Sequence, residues 1–295
     1  MLKLPFARKA PPQQSQLTVI HRDGLHRRVL HQTRQWIESP HWSRDGNWLV
    51  FNGGGRLYRV AADGSGSPVQ LDTGRIGDCN NDHLFSPDGA TLYFTAGGCI
   101  YALPVAGGPV RKVSTDHVLG KSVQYYLHGV SPDGQQLCCT GVLPDGQLAI
   151  YALPTAGGAG SRLTHRAGAV DGPEYSPDGE WIYFNGELDA RRRGDSQLYR
   201  MRCDGSGIET VLRDERVNWF PHLSPDGRHL AWLSYAPGTE GHPASRDVLL
   251  RLMPVAGGAT RDLVAFLGGQ GSLNSNSWAP DSQWLAYVAY PRDAS

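Results

Sequence analysis

The sequence predicts an all-β fold, a six-bladed β-propeller whose last blade is completed by strands from the N-terminus. Three observations carry this. A Ser-Pro-Asp-Gly tetrad recurs six times at nearly constant spacing, a period-two apolar pair follows each copy, and two strand-like segments precede the first copy without a tetrad of their own. The 37 glycines and 20 prolines in 295 residues, with 40% hydrophobic residues, describe many short strands broken by turns.

The tetrad stands complete at Ser86, Ser131, Ser176 and Ser224, and degenerate copies begin at Ser43 and Ala279. Successive starts are 43, 45, 45, 48 and 55 residues apart, the length of one four-stranded blade. Six residues after each start comes Leu49, Leu92, Leu137, Ile182, Leu230 or Leu285, and two further on Phe51, Phe94, Cys139, Phe184, Trp232 or Tyr287. That alternation marks a strand with a packed face. Within each tetrad proline presets φ for a turn and glycine takes the left-handed position, so the tetrad joins the innermost strand to the second and carries no catalytic group.

A further strand follows in each unit at Leu57-Tyr58, Ile100-Tyr101, Ile150-Tyr151, Leu198-Tyr199 and Leu250-Arg251. Each then meets an Asp-Gly or Gly-Gly turn. The last unit stops after two strands, near Tyr290, whereas Leu17 to His21 and Arg28 to His31, joined by Asp23-Gly24, are left over at the start. Pairing the two sets completes blade 6 and removes the open edges of a linear array. Residues 1–15 are read as a flexible N-terminal extension and 16–295 as a single propeller domain.

The tetrads, the Leu-x-Phe step, the Ile-Tyr strand and the Gly-Gly turn together resemble the repeat of the TolB-like propellers, over roughly residues 16 to 290. The resemblance implies the six-bladed fold and, by analogy with TolB, binding of a protein partner. The additional N-terminal domain and leader of TolB are not read in this sequence, and a role in the Tol system does not follow.

Lys+Arg and Asp+Glu balance at 28 each, so no net field favours nucleic acid or an anionic membrane. The five cysteines, Cys79, Cys99, Cys138, Cys139 and Cys203, lack metal-type spacing and read as small hydrophobes in a reducing compartment. No secretory leader is seen, and a cytoplasmic location is expected.

The residues ahead of each tetrad should ring one mouth of the central channel. They are Pro40-His41-Trp42, His83-Leu84-Phe85, His128-Gly129-Val130, Pro173-Glu174-Tyr175, Pro221-His222-Leu223 and Asn276-Ser277-Trp278. Four of 11 histidines fall at this one place. Imidazole and carboxylate suit a divalent transition metal such as zinc, manganese or iron, so His83, His128, His222, Glu174 and His41 are the candidate ligands. His83 and His128 precede their tetrads by three residues and the others by two, which requires a bulge or bend in some blades. Oligogalacturonate lyases, built on a similar propeller, hold manganese in the pore with histidines and a glutamine, a likeness of ligand type and place only.

Glu38, Asp82 and Asp171, with Glu174, are the available general bases. Candidate substrate contacts are Arg191, Arg192 and Arg193 in an inserted loop, His242 in another, the aromatics Tyr126 and Trp219, and Asn276. The connection Leu267 to Asn274 is glycine-rich but lacks the strand-glycine-helix setting of a phosphate cradle. One reading is a metal-dependent hydrolase or lyase acting on a small ester, phosphoester or sugar, anionic substrates suiting the arginines, with the metal as Lewis acid or as source of hydroxide. The other is a noncatalytic propeller that binds a protein or carbohydrate partner.

Overall fold

A computed structural model of the chain describes residues 14–114, 123–190, 192 and 194–292. All regular elements among them are strands. The first two, β1 (Ser15–His21) and β2 (Arg27–Thr33), form a hairpin. Blade 1 follows with β3 (Ile37–Trp42), β4 (Trp48–Gly53), β5 (Arg56–Ala61) and β6 (Val69–Gln70), then blade 2 with β7 (Cys79–Phe85), β8 (Thr91–Ala96), β9 (Cys99–Pro104) and β10 (Arg111–Lys112). Blade 3 comprises β11 (Gln124–Val130), β12 (Gln136–Val142), β13 (Leu148–Pro154) and β14 (Ser161–Arg162), and blade 4 comprises β15 (Val170–Tyr175), β16 (Trp181–Gly186), β17 (Gln197–Arg202) and β18 (Glu209–Leu212). Blade 5 has β19 (Val217–Leu223), β20 (His229–Tyr235), β21 (Arg246–Pro254) and β22 (Arg261–Gly268), and β23 (Trp284–Ala289) ends the chain. Each of the five blades is an antiparallel meander, and the sixth sheet runs β2-β1-β23.

Closure therefore occurs as the sequence predicts. Gln16 to His21 pair antiparallel with Ala289 to Trp284 without a break. The innermost segment of blade 6 is not a full strand but a single bridge, Trp278 to Leu285, because the chain just before it is drawn into the axis. Ser15 is part of β1 and fully buried, so the boundary of the expected extension moves by one residue; residues 1–13 lie outside the described region.

The tetrads are turns. In each of the five that begin with serine the hydroxyl donates to the aspartate Oδ1 at 2.5–2.6 Å. The same hydroxyl accepts the backbone N–H five residues beyond the serine, and the aspartate accepts the one two residues beyond itself. At the degenerate copy, Ser282 takes the left-handed φ of 59° in place of glycine.

All twelve residues of the apolar pairs are buried, and the clusters they join span neighbouring blades. One holds Leu17, Val19 and Val288 of blade 6 against Leu49 and Phe51 of blade 1, and another holds Val50 and Leu57 of blade 1 against Phe85 and Leu92 of blade 2. The five cysteines are free, four of them buried.

Deleting residues 1–33 should expose the β23 edge and strip Leu17, Ile20 and Leu30 from the core; we expect loss of cooperative unfolding, read by calorimetry, and aggregation. Leu17→Ala alone should cost about 2–5 kcal/mol in denaturant melts. A deletion variant melting normally as a monomer would refute the closure.

Candidate functional site

The inner strands are not regular, and their irregularity positions the axial side chains. The ladder with the second strand shifts in all five blades, between Glu38 and His41, Cys79 and His83, Leu127 and Gly129, Asp171 and Glu174, and Trp219 and His222. In blades 1, 4 and 5 a left-handed residue, Ser39 (φ 54°), Gly172 (φ 61°) or Phe220 (φ 57°), is followed by Pro40, Pro173 or Pro221. Proline offers no N–H to the ladder, so the strand bulges there and aims the next side chain, His41, Glu174 or His222, at its neighbours near the axis. Blades 2 and 3 lack the proline and present His83 and His128 one residue earlier. The expected bulge is thus present in every regular inner strand, in two forms.

Around blades 4, 5, 6 and 1 these side chains bond to one another. His222 Nδ1 lies 2.6 Å from Glu174 Oε2, while Glu174 Oε1 accepts from Leu223 N (3.1 Å) and Asn276 Nδ2 (2.6 Å). Asn276 also donates to Leu223 O, and its own carbonyl meets His41 Nδ1. His41 Nε2 accepts from Phe85 N at 3.1 Å. Burial above all, with the nearby Arg44 charge, pushes the His41 pKa down to about 3, so the ring is neutral.

The glycine-rich connection from Leu267 to Asn274 leads into a plug. Gly271 to Ser275 are buried, and their backbone fills the axis. Leu273 O faces His222 Nε2 at 2.9 Å and Asn274 O faces His128 Nδ1 at 3.2 Å. Gly271 O accepts from Ser39 N (2.6 Å), Ser275 N donates to Ser39 Oγ (2.9 Å), and Ser275 Oγ bridges His83 N and Asn81 O. Gly271 has φ 87°, and a Cβ there would collide with Tyr290 Oη and Glu38, so only glycine fits the thread.

On the blade 2 to 4 side a charged cluster remains. Asp171 Oδ1 accepts from Thr140 Oγ1 (2.7 Å) and Gly172 N (2.8 Å) and lies 3.2 Å from His128 Nε2; Oδ2 lies 3.6 Å from His242 Nε2. Burial opposes ionisation of Asp171, but the bonds and charges of His128 and His242 outweigh it and hold its pKa well below the carboxylate range. Burial likewise disfavours the charged His128 ring, yet Asp82 and Asp171 raise its pKa to about 9. Asp82 is pushed up to about 7, chiefly by burial and then by Asp171 and Glu38 against the pull of His128. Tyr126, half-buried beside the acids, is raised to about 12 by burial and their charges. His242 packs against Trp219 with ring centroids 4.4 Å apart and planes tilted by 56°, and meets Phe220 edge-on, so its loop is anchored inside the mouth.

This arrangement does not fit the metal centre expected at His83, His128, His222, Glu174 and His41. Both ring nitrogens of His41, His128 and His222 already face protein partners, Glu174 has both oxygens bonded, and His83 lies with Nε2 3.4 Å from Val50 O. Among the described residues, three His, Cys, Asp or Glu ligand atoms come within 4.8 Å of one another at His21, Asp23 and His26, and not in the pore. Of the expected substrate contacts, Asn276 is tied to Glu174 and Trp219 is buried against His242; Tyr126 and His242 do join Asp82 and Asp171. Arg192 is exposed, and Arg191 and Arg193 lie outside the described residues.

Sequence reasoning missed the latches between blades, Asn52 Nδ2 to Cys79 O, Leu127 N to Thr95 Oγ1, Thr140 to Asp171, and Phe220 N to Asn185 Oδ1. Their signal was a polar residue nine positions after the first four tetrad starts.

A family model described as the TolB beta propeller domain matches residues 129–251. The chain is 42% identical over 269 residues to an uncharacterized protein, Atu1656, of Agrobacterium fabrum, covering 89% of this chain and 88% of that one. A solved structure from Agrobacterium tumefaciens, provisionally named TolB, superposes with a TM-score of 0.87 at 38% identity, covering 94% of this chain and 98% of that one. An oligogalacturonate lyase in complex with manganese shares the fold, with a TM-score of 0.59 at 14% identity over 97% and 99% of the two chains.

The axial histidines set the pH dependence of stability. His128 has a raised pKa, so its stabilisation is complete below about 6.5 and is lost as pH rises through about 9. His41 and His83 are depressed to about 3 and about 4, so theirs is present above about 6.5 and is lost as pH falls toward those values. The melting temperature should peak near about pH 6.5, and His128→Gln should flatten the alkaline limb. An alkaline limb untouched by that substitution would disprove the charged state of His128.

Proposed function

The chain belongs to the TolB-like β-propeller family, and from that premise we propose that it is a noncatalytic platform that binds a protein or carbohydrate partner on its loop face. The plug carries this reading. A propeller enzyme with a central metal needs an axial opening and ligand nitrogens that face it; here Gly271 to Ser275 occupy the axis and Leu273 O and Asn274 O take up the imidazoles. The loop of blade 5 is held inward by His242, which gives the outer rim a rigid base. In the competing metal-dependent hydrolase or lyase, supported by the fold shared with the manganese-binding lyase, zinc, manganese or iron would have to displace these bonds first.

A second reading has its own observation. Asp82 is buried with Asn80 Nδ2 on its Oδ2, and burial, the largest cause, pushes its pKa up to about 7. It would serve a metal-independent acid–base reaction on a small substrate beside Tyr126.

Esters, lactones, phosphoesters and uronate oligomers should be tested for turnover with and without chelator. The platform reading expects none. His222→Gln should then act on stability alone, costing about 3 kcal/mol because Glu174 is left buried without its partner. Turnover that chelator stops and His128→Gln abolishes would establish the metal enzyme instead; turnover that survives chelator and is lost in Asp82→Asn would establish the second reading.

A further inference from the structure

The face opposite the plug carries a different cluster, on the hairpin that closes the ring. Arg22 N donates to Gln283 O, which places the β1–β2 turn beside the blade 6 tetrad turn. The hairpin is tight: His21 N donates to His26 O (2.8 Å) and Gly24 N to His21 O (2.9 Å), directly beyond the Ile20–Arg27 pair. His21 and His26 are thus a cross-strand pair, and their side chains leave the hairpin on one face, with ring centroids 6.1 Å apart. Between them the turn folds Asp23 back. Its Oδ1 accepts from Leu25 N (2.7 Å) and His26 N (3.3 Å), which fixes the carboxylate so that Oδ2 faces His21 Nδ1 at 2.9 Å and His26 Nδ1 at 2.8 Å.

We propose that His21 Nδ1, His26 Nδ1 and Asp23 Oδ2 form a binding site for a divalent transition metal ion. Ligand atoms about 2.1 Å from a metal and at right angles to one another stand about 3 Å apart, close to both observed contacts. Two imidazoles and one carboxylate on a single side are the donor set of a three-coordinate face with open positions, and they select iron, cobalt, nickel or zinc over magnesium or calcium. Asp23 N donates to His21 Nδ1 over a long 3.3 Å, a contact that a cation shared with Asp23 Oδ2 would replace. Trp284 packs edge-on against His21 at 5.1 Å and orients its ring. His26 is on the rim of an open groove of about 540 Å³ shared with Leu25, Arg27, Arg28, Trp42 and Trp284, so the remaining coordination positions are accessible from solvent.

Tag-free protein titrated with Co²⁺, followed by visible absorption and equilibrium dialysis, tests this. We expect one ion per chain and at least tenfold weaker binding in His26→Ala, whose exposed ring is not needed for folding, with Asp23→Asn weakened as well although it keeps the turn's acceptor oxygen. Binding that is absent in the wild type, or equal in the wild type and both variants, overturns the site. Binding that survives His26→Ala but is lost in His128→Gln also overturns it and returns the metal to the pore, so the failure of this proposal is distinguishable from that of the platform reading.

Discussion

The antiparallel seam between β1 and β23 is the constraint on which the remaining architecture rests. It joins segments far apart in the sequence and converts six sheets that each bury only part of their faces into a ring without an open end. The apolar clusters that bridge blades exist only because every blade has a neighbour on both sides, and the cluster with Leu17, Val288, Leu49 and Phe51 forms across the seam itself. Closing the ring also brings five inner strands and the bridged segment of blade 6 to one axis. Their polar groups are then shut away from water and must be paired, which Gly271 to Ser275 accomplish with backbone carbonyls and serine hydroxyls.

The axis is an economical solution to a burial problem, and this shapes how its charges are interpreted. Glu174 with His222, and Asp171 with His128, are buried acid–imidazole pairs that hold strands of adjacent blades together. The Asp171–His128 pair mimics an active site because the same geometry that stabilises a buried charge also perturbs its pKa. What separates the two is an accessible position for a reactant. The His222 pair has its remaining atoms taken by Leu223, Asn276 and Leu273, while the His128 pair adjoins Asp82 and the half-buried Tyr126.

The fold was legible because its signals are local: each tetrad serine and aspartate makes its own turn, and the unpaired strands at Leu17 and Arg28 announce the closure. The ring of axial residues was also legible, as was the need for bulges, and the prolines at 40, 173 and 221 explain the two registers. The plug was not. Its contacts to His222 and His128 come from the carbonyls of Leu273 and Asn274, and a carbonyl has no letter of its own in a sequence. Histidines at equivalent positions read the same whether a metal or a peptide oxygen meets them. His21, Asp23 and His26 were read only as part of a hairpin, since the turn that gathers their ligand atoms depends on where Asp23 folds.

The seam also fixes an order of events during synthesis. β23 is made more than 260 residues after β1, which at about 5–20 residues per second is a wait of roughly 13–50 s. Throughout that interval the hairpin has no partner for one edge, and the axis has no plug, because both are supplied by the stretch from Gly271 to Ala289. The nascent protein therefore stays an open arc with wet polar inner strands until β23 is made, and a ribosome that stops before it releases a product with two unpaired ends.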